Sequence, residues 1–159
     1  CSRKARAERG AMVLSTHAIA GRVLCPGSGQ GPLLKLSAPL SFWGGVDPAT
    51  GRIILDHHPE RGLSIAGTVL AFEKPIGSSS SSSVLLELIH NGAAPAAILL
   101  GDLDAILIVG CLVAKELGLS APPVLYIEEA HFSKLTGKWA SVDNGAITIG
   151  CSLAPITSI

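Results

Sequence analysis

The chain has 159 residues, 48% of them hydrophobic, which is long enough for one compact domain with its own core. Its 12 lysines and arginines equal its 12 aspartates and glutamates, and this balance excludes the polycationic face of a nucleic-acid-binding protein. The apolar runs are shorter than a membrane span and the chain opens without a secretory pattern, so we expect a cytoplasmic protein that does not bind a membrane.

The N-terminal segment and the cysteines contribute little chemistry. Residues 1–15 begin with a basic stretch and are expected to form a flexible arm, which leaves residues 16–159 as the domain. The cysteines are far apart and form no Cys-x-x-Cys pair: Cys1, Cys25, Cys111 and Cys151. This spacing does not support a metal centre held by local loops, so reduced structural thiols are predicted.

Extended segments alternate with turns in the first half of the chain. Residues 18–25 predict a strand. The glycine-rich stretch 26–32 fits neither the dinucleotide-binding nor the Walker pattern and is interpreted as a turn. Three further strands are predicted at 33–36, 52–55 and 65–72.

The second half adds helices to the strands. An apolar stripe at i, i+1, i+4 and i+5 predicts a helix over 84–92, closed by Asn91-Gly92. The other predicted elements are strands at 95–100 and 123–127, a strand or helix start at 105–109, a helix at 110–117 stopped by Gly118, and a hairpin at 138–149 with its turn at Asp143-Asn144-Gly145. The pattern indicates a β-rich α/β domain with two to three helices.

Two bulky aromatic residues precede a pair of glycines. Phe42 and Trp43 stand before Gly44 and Gly45, where a backbone without side chains lets a ligand or another chain come close. The alternative is that both aromatic rings simply fill the core.

Two adjacent histidines lie in a loop with several charged residues. His57 and His58 would point to opposite faces of an extended chain, so they cannot easily share one metal ion. Either one of them faces a site, or both are ordinary surface residues.

Six consecutive serines, 78–83, follow Gly77 and enter the first predicted helix, where N-cap residues belong. Polyserine is usually a flexible linker. A helix N-terminus, however, leaves backbone N–H groups unpaired, and together with the hydroxyls these can bind an anion. The run contains no Gly-x-Ser-x-Gly elbow, so proton abstraction or carboxylate binding fits it better than acyl transfer.

Five ordered motifs stand out along the chain: 41–51 (SFWGGVDPATG), 58–59 (HP), 63–67 (LSIAG), 77–80 (GSSS) and 91–98 (NGAAPAAI). Together they resemble the small, swivelling subunit or domain of the aconitase X enzymes, over roughly residues 19–150. The resemblance implies a swivelling β/β/α fold that docks on a large aconitase X subunit. That subunit would hold an iron-sulfur cluster or iron and most of the substrate pocket, with no metal ligand on this chain.

The same resemblance implies a dehydratase, a hydro-lyase that is active only with its large subunit. In aconitase-like enzymes a serine after a glycine in the swivelling domain removes the proton, while iron elsewhere acts on the leaving hydroxyl. Carried over by position, the catalytic base is Ser78, and Gly77, Ser79 and Ser80 would bind substrate. The possible site-lining residues are Trp43, Gly44, Gly45 and His58.

The substrate implied by the family is a small hydroxy acid. We expect cis-3-hydroxy-L-proline, because the chain has few cationic groups near the serines and the phosphate of phosphomevalonate, the alternative substrate, should require more of them. Ile76 stands where relatives commonly have arginine, so a cationic contact is expected from the partner. A non-enzymatic binding module of the same fold is a further alternative.

Overall fold

The computed structural model describes residues 17–150, which contain eight strands and three helices. The strands are β1 (His17–Ala20), β2 (Arg22–Cys25), β3 (Ser28–Lys35), β4 (Val69–Phe72), β5 (Ala97–Leu100), β6 (Val124–Tyr126), β7 (Trp139–Asp143) and β8 (Ala146–Gly150). The helices are α1 (Ser81–His90), α2 (Ala105–Glu116) and α3 (Glu129–Phe132). The predicted β-rich α/β class is therefore confirmed, whereas the predicted arm, Cys1 and Cys151 lie outside the described residues.

All eight strands form one sheet in the order β1-β8-β7-β3-β4-β5-β6-β2. Strand β3 joins its two halves, because its first five residues pair antiparallel with β7 and its last three pair parallel with β4. Strands β4, β5 and β6 continue in parallel and are connected through α1 and α2. Only Gly21 separates the two edge strands, β1 and β2, so both edges of the sheet meet in one segment and the sheet closes almost into a barrel.

Strands β4 and β5 form the centre of the sheet and are buried along their whole length. Leu70 and Phe72 of β4 face the apolar cluster that α1 and α2 cover, while Val69 and Ala71 face a second cluster on the opposite side. Because successive side chains of a strand alternate between faces, a strand covered on both sides needs a continuous apolar sequence. This requirement explains the uninterrupted run VLAF in β4.

Two local predictions in the first half are wrong. The stretch 26–32, interpreted as a turn, belongs mostly to β3, and a side chain at Gly29 or Gly31 would overlap a backbone carbonyl oxygen of Ala96 or Gly67. These glycines allow close approach of neighbouring backbone rather than a turn. The predicted strand at 52–55 makes only isolated bridges.

The hairpin at the end of the described chain is confirmed. Strands β7 and β8 pair antiparallel, and Asp143 lies opposite Ala146 next to the turn. The two residues between them, Asn144 and Gly145, have φ values of 45° and 94°. Positive φ at both positions is what a two-residue hairpin turn requires. Helix α2 likewise ends before Gly118, which has φ 73° as predicted for a residue that stops a helix.

Helices α1 and α2 pack closely because α2 carries a glycine where they meet. A Cβ atom at Gly110 would lie 2.9 Å from the carbonyl oxygen of Ser82, in the first turn of α1. The contact fixes the start of α1 against the middle of α2. None of the helices in residues 17–150 has the length and apolar character needed to cross a membrane.

Candidate functional site

The candidate site lies at the carboxyl ends of the parallel strands, which is where open α/β sheets bind their ligands. Residues 77–80, here called the serine loop, follow β4 at this edge and lead into α1, and residues 101–104 follow β5 and lead into α2. An open depression of about 300 Å³ lies where the two connections begin. Its lining residues are Glu73, Lys74, Gly101, Asp102, Glu129 and Phe132.

The serine loop forms a tight turn held by backbone hydrogen bonds. The Ser81 N–H donates to the Ser78 carbonyl oxygen at 2.9 Å, and the Val84 N–H donates to the Ser80 carbonyl oxygen at 3.2 Å. The Ser78 hydroxyl oxygen in turn accepts the Ser80 N–H at 3.3 Å. A donated hydrogen bond stabilises negative charge on the acceptor, so this contact favours charge development on the Ser78 oxygen.

No side chain caps the N-terminus of α1. The helix starts at Ser81, three residues before the predicted start at Val84. A serine, Ser80, occupies the N-cap position, but its backbone is helical (φ −71°, ψ −11°) and its hydroxyl makes no capping hydrogen bond. Within residues 17–150, the backbone N–H groups of Ser79 and Ser82 donate no hydrogen bond. The start of this helix therefore keeps donors and positive dipole charge available to an anion.

Identical serines in the run have different surroundings. Ser81 is 2% exposed, and its hydroxyl oxygen accepts the Trp43 N–H at 3.3 Å. The Ser82 hydroxyl donates to the Ser79 carbonyl oxygen at 3.0 Å, and Ser83 is exposed. Nothing in the sequence distinguishes Ser81 from its neighbours, so its contact with the Trp43 segment could not have been predicted.

The two aromatic residues near the serine loop have opposite environments. Phe42 is buried in the core, whereas Trp43 is 59% exposed, so the alternative in which the rings fill the core holds for Phe42 and fails for Trp43. The chain turns sharply after Trp43: Gly44 has φ 71°, and a side chain at Gly45 would overlap the Ser41 carbonyl oxygen. These two glycines let the chain fold back behind the exposed indole ring.

His58 is buried and contacts acidic and polar groups outside the serine loop. Its side chain is 1% exposed, and its Nδ1 accepts the Glu60 N–H at 3.2 Å and lies 3.3 Å from Glu60 Oε2. Glu60 Oε1 accepts hydrogen bonds from the Ser37 hydroxyl at 2.6 Å and the Ser37 N–H at 3.2 Å. His57 is exposed with φ 62°. Among residues 17–150 no hydrogen bond joins His58 to the serine loop.

Two exposed apolar side chains flank the serine loop on the side of α2. Ile76, which directly precedes Gly77, is 51% exposed, and Leu103, in the connection to α2, is 53% exposed. The position of a Cβ atom at Gly77 lies 3.9 Å from Ile106 in the first turn of α2, so the two connections are neighbours. We call Ile76 and Leu103 the apolar rim.

The described residues do not fit an iron centre. Within residues 17–150 no three His, Cys, Asp or Glu side chains are grouped so that they could hold a metal ion. Cys25 and Cys111 are buried free thiols. Burial, reinforced by the neighbouring Cys25, raises the pKa of the Cys111 thiol to about 12, and a protonated thiol is a poor metal ligand. No catalytic step of this chain is therefore assigned to a metal.

The family model of the aconitase X swivel domain matches residues 18–150. This chain belongs to that family. The cis-3-hydroxy-L-proline dehydratase of Pseudomonas aeruginosa is 43% identical to it over 133 residues, which are 84% of this chain and 23% of that protein. The phosphomevalonate dehydratase small subunit of Methanothermobacter thermautotrophicus is 44% identical over 93 residues, 58% of this chain and 71% of that subunit.

The fold also matches a solved structure of the family. Aconitase X from Thermococcus kodakaraensis in its holo-form gives a TM-score of 0.73 at 32% identity, covering 84% of this chain and 98% of that chain. The predicted swivelling β/β/α fold is thereby confirmed. The chain spans about a quarter of the length of the first curated relatives, 23% of the protein from Pseudomonas aeruginosa and 22% of the one from Hypocrea jecorina.

Proposed function

We propose that this chain is the swivelling domain of a hydro-lyase that dehydrates a small hydroxy acid, with Ser78 as the catalytic base. One observation carries the proposal: the Ser78 hydroxyl accepts the Ser80 N–H at the start of a helix that no side chain caps. The positive end of the helix dipole and the unpaired N–H groups stabilise negative charge at this point. An oxygen that takes a proton from carbon needs this stabilisation.

Dehydration removes a proton from one carbon and a hydroxide from its neighbour. The Ser78 hydroxyl first gives its own proton to an acceptor, and the alkoxide then takes the proton from carbon; the acceptor passes the first proton to the leaving hydroxide, which departs as water. Among residues 17–150 no titratable side chain hydrogen-bonds to the Ser78 hydroxyl, so the acceptor would come from a partner. The N–H groups of Ser79 and Ser82 would bind the substrate carboxylate, with Gly77 leaving room for it.

The proposed partner is a large aconitase X subunit that docks over the serine loop. The apolar rim supports this: Ile76 and Leu103 expose large apolar side chains beside a polar loop, an arrangement that suits a surface covered by another protein. The iron-sulfur cluster or iron that the family resemblance implies would belong to that subunit.

The charges around the serine loop favour a zwitterionic substrate over a phosphorylated one. Lys74 stands beside Glu73 in the depression, and the Lys35 amine is already engaged, donating to the Phe132 carbonyl oxygen at 2.9 Å. A phosphate dianion requires more cationic groups than these. We therefore propose cis-3-hydroxy-L-proline as substrate, in line with the Pseudomonas aeruginosa relative; phosphomevalonate is the second candidate, because the archaeal small subunits match equally well in identity.

The test is to co-express the chain with a large aconitase X subunit and to assay the complex against both substrates. Ser78→Ala should lower kcat by about 10²- to 10⁴-fold, the usual contribution of a general base, without changing assembly on size-exclusion chromatography. Ser83→Ala, an exposed serine of the same run, is the matched control and should keep full activity. Unchanged turnover in Ser78→Ala would remove the base role, and a stable complex inactive on both substrates would favour the binding module.

A further inference from the structure

Trp43 combines an exposed ring with a backbone held on both sides. Its N–H donates to the Ser81 hydroxyl oxygen at 3.3 Å, and its carbonyl oxygen accepts the Ser41 hydroxyl at 3.0 Å. Phe42, the residue before it, is buried in the core. Trp43 itself is nevertheless 59% exposed. An aromatic ring presented on a fixed backbone loses little conformational entropy when it contacts a ligand, which makes it an efficient binding surface.

Ser81 links the backbone of Trp43 to the turn that carries the proposed base. Its backbone N–H donates to the Ser78 carbonyl oxygen at 2.9 Å, while its hydroxyl oxygen accepts the Trp43 N–H. It is 2% exposed, so solvent cannot replace either partner readily. One residue thereby fixes the distance between the segment that carries the ring and the segment that carries the base.

We propose that Ser81 is a positioning residue of this site: it holds the Trp43 backbone against the turn that carries Ser78, so that the exposed ring forms one side of the pocket for the bound hydroxy acid. The Ser41 hydroxyl supports the same residue through its backbone carbonyl oxygen. The indole face suits the apolar carbons of the substrate and a ring ammonium group, which it attracts electrostatically. The functional part of this inference rests on the proposed dehydratase activity, whereas the structural part does not.

The structural part is tested on the full chain alone. In a Trp139→Phe background, Trp43 is the only tryptophan, so its fluorescence anisotropy reports the mobility of the ring. Ser81→Ala should lower the anisotropy, because the Trp43 segment loses one hydrogen bond to α1. Loss of one ordinary hydrogen bond lowers the ratio of docked to undocked segment roughly fivefold. Ser83→Ala should leave it unchanged, and Ser81→Thr, which keeps a hydroxyl, should restore it. Equal anisotropy in Ser81→Ala and Ser83→Ala overturns the inference.

The functional part is tested with a double-mutant cycle in the assembled complex. Ser81→Ala should raise KM roughly fivefold with a smaller change in kcat, because Trp43 loses its place beside the substrate. In a Trp43→Ala background the backbone N–H contact to Ser81 persists but the ring is absent, so Ser81→Ala should still lower stability and no longer change KM. A KM effect that survives in the Trp43→Ala background overturns the positioning role.

A second variant and a separate control keep the result interpretable. Ser41→Ala removes the other hydrogen bond to Trp43 and should change anisotropy and KM in the same direction as Ser81→Ala. If Ser78→Ala keeps full activity, the proposed function fails while the anisotropy result stands. If Ser78→Ala is inactive and Ser81→Ala leaves anisotropy and KM unchanged, only the present inference fails.

Discussion

The two helices at the carboxyl edge of the sheet begin in opposite ways. At α2, Asp104 has an extended backbone (φ −130°, ψ 100°), and its carboxylate accepts the N–H groups of Ile106 at 2.8 Å and Leu107 at 3.3 Å. At α1, the N-cap residue Ser80 has a helical backbone and no capping bond, although serine is among the best N-cap residues. In α2 a carboxylate accepts two of the first N–H groups, whereas in α1 backbone carbonyl oxygens accept those of Ser81 and Ser83 and the N–H of Ser82 has no acceptor among residues 17–150.

The start of α2 is closed by its own cap, whereas the start of α1 has no side-chain cap and is open to a ligand. The Asp104 carboxylate neutralises the positive end of α2 and is itself largely buried, so that end is closed to an exogenous anion. The start of α1 keeps that charge available beside Ser78. Under the proposed function, α1 lacks a stabilising side-chain cap because its open start binds an anion, and three pairs of substitutions test this interpretation.

The largest effect is expected when an anion is built into the open helix start. Ser79→Asp places a carboxylate where the substrate carboxylate would bind, so KM of the assembled complex should rise about a hundredfold through like-charge repulsion. Ser83→Asp, in the first turn of α1 but with an exposed side chain, adds the same charge where the helix dipole favours it, and should raise KM much less than Ser79→Asp while stabilising the fold by about 0.3–1 kcal/mol. Steady-state kinetics and urea unfolding measure both. Equal KM for the two variants would mean that the open end binds no anion.

The next effect compares the two N-cap residues directly. Asp104→Ala leaves two N–H groups without their acceptor and should lower the free energy of unfolding by about 1–2 kcal/mol. Ser80→Ala should change it by less than about 0.5 kcal/mol, because the Ser80 hydroxyl makes no capping bond. Urea denaturation followed by circular dichroism resolves the two. Equal losses would show that Ser80 caps α1 in solution.

The smallest effect concerns the contact that places one helix start against the other helix. Gly110→Ala would gain about 1 kcal/mol in helix propensity, but its Cβ would lie 2.9 Å from the Ser82 carbonyl oxygen. Overpacking against backbone costs about 1–3 kcal/mol, so a net loss of about 1 kcal/mol in unfolding free energy is expected, with lower activity. Val113→Ala, on the exposed face of α2, is the control and should change little. A higher free energy of unfolding for Gly110→Ala than for the unmodified chain would mean that the close contact between α1 and α2 does not contribute to stability.

The parts of the fold that depend on neighbouring residues could be predicted from the sequence. The hairpin follows from Asn144-Gly145, and α1 from the apolar stripe that begins at Val84. The start of β3 could not be predicted, because Gly29 and Gly31 have the composition of a turn, and their role depends on distant carbonyl groups that only the folded sheet brings close.

The candidate site likewise has features that the sequence could predict and features that it could not. Family resemblance identified the glycine-serine loop, and local rules placed it at a helix start. Burial of His58 against Glu60 and exposure of Trp43 were beyond sequence reasoning, because both depend on how loops far apart in the chain meet. The role of Ser81 was also hidden, since its hydroxyl is chemically the same as those of its neighbours.

The uniform serine run makes the site more sensitive to a change in length than to many single substitutions. At one end of the run Ser78 directly follows Gly77, and at the other end Ser81 begins helix α1, which is anchored in the core by Val84. Deletion of one serine would leave five in a row and nearly the same composition, yet it would shorten the spacer between the base and the helix by one residue. Loss of a single codon within this repeat should therefore displace the proposed base from the proposed substrate pocket, whereas replacement of Ser83 should change almost nothing.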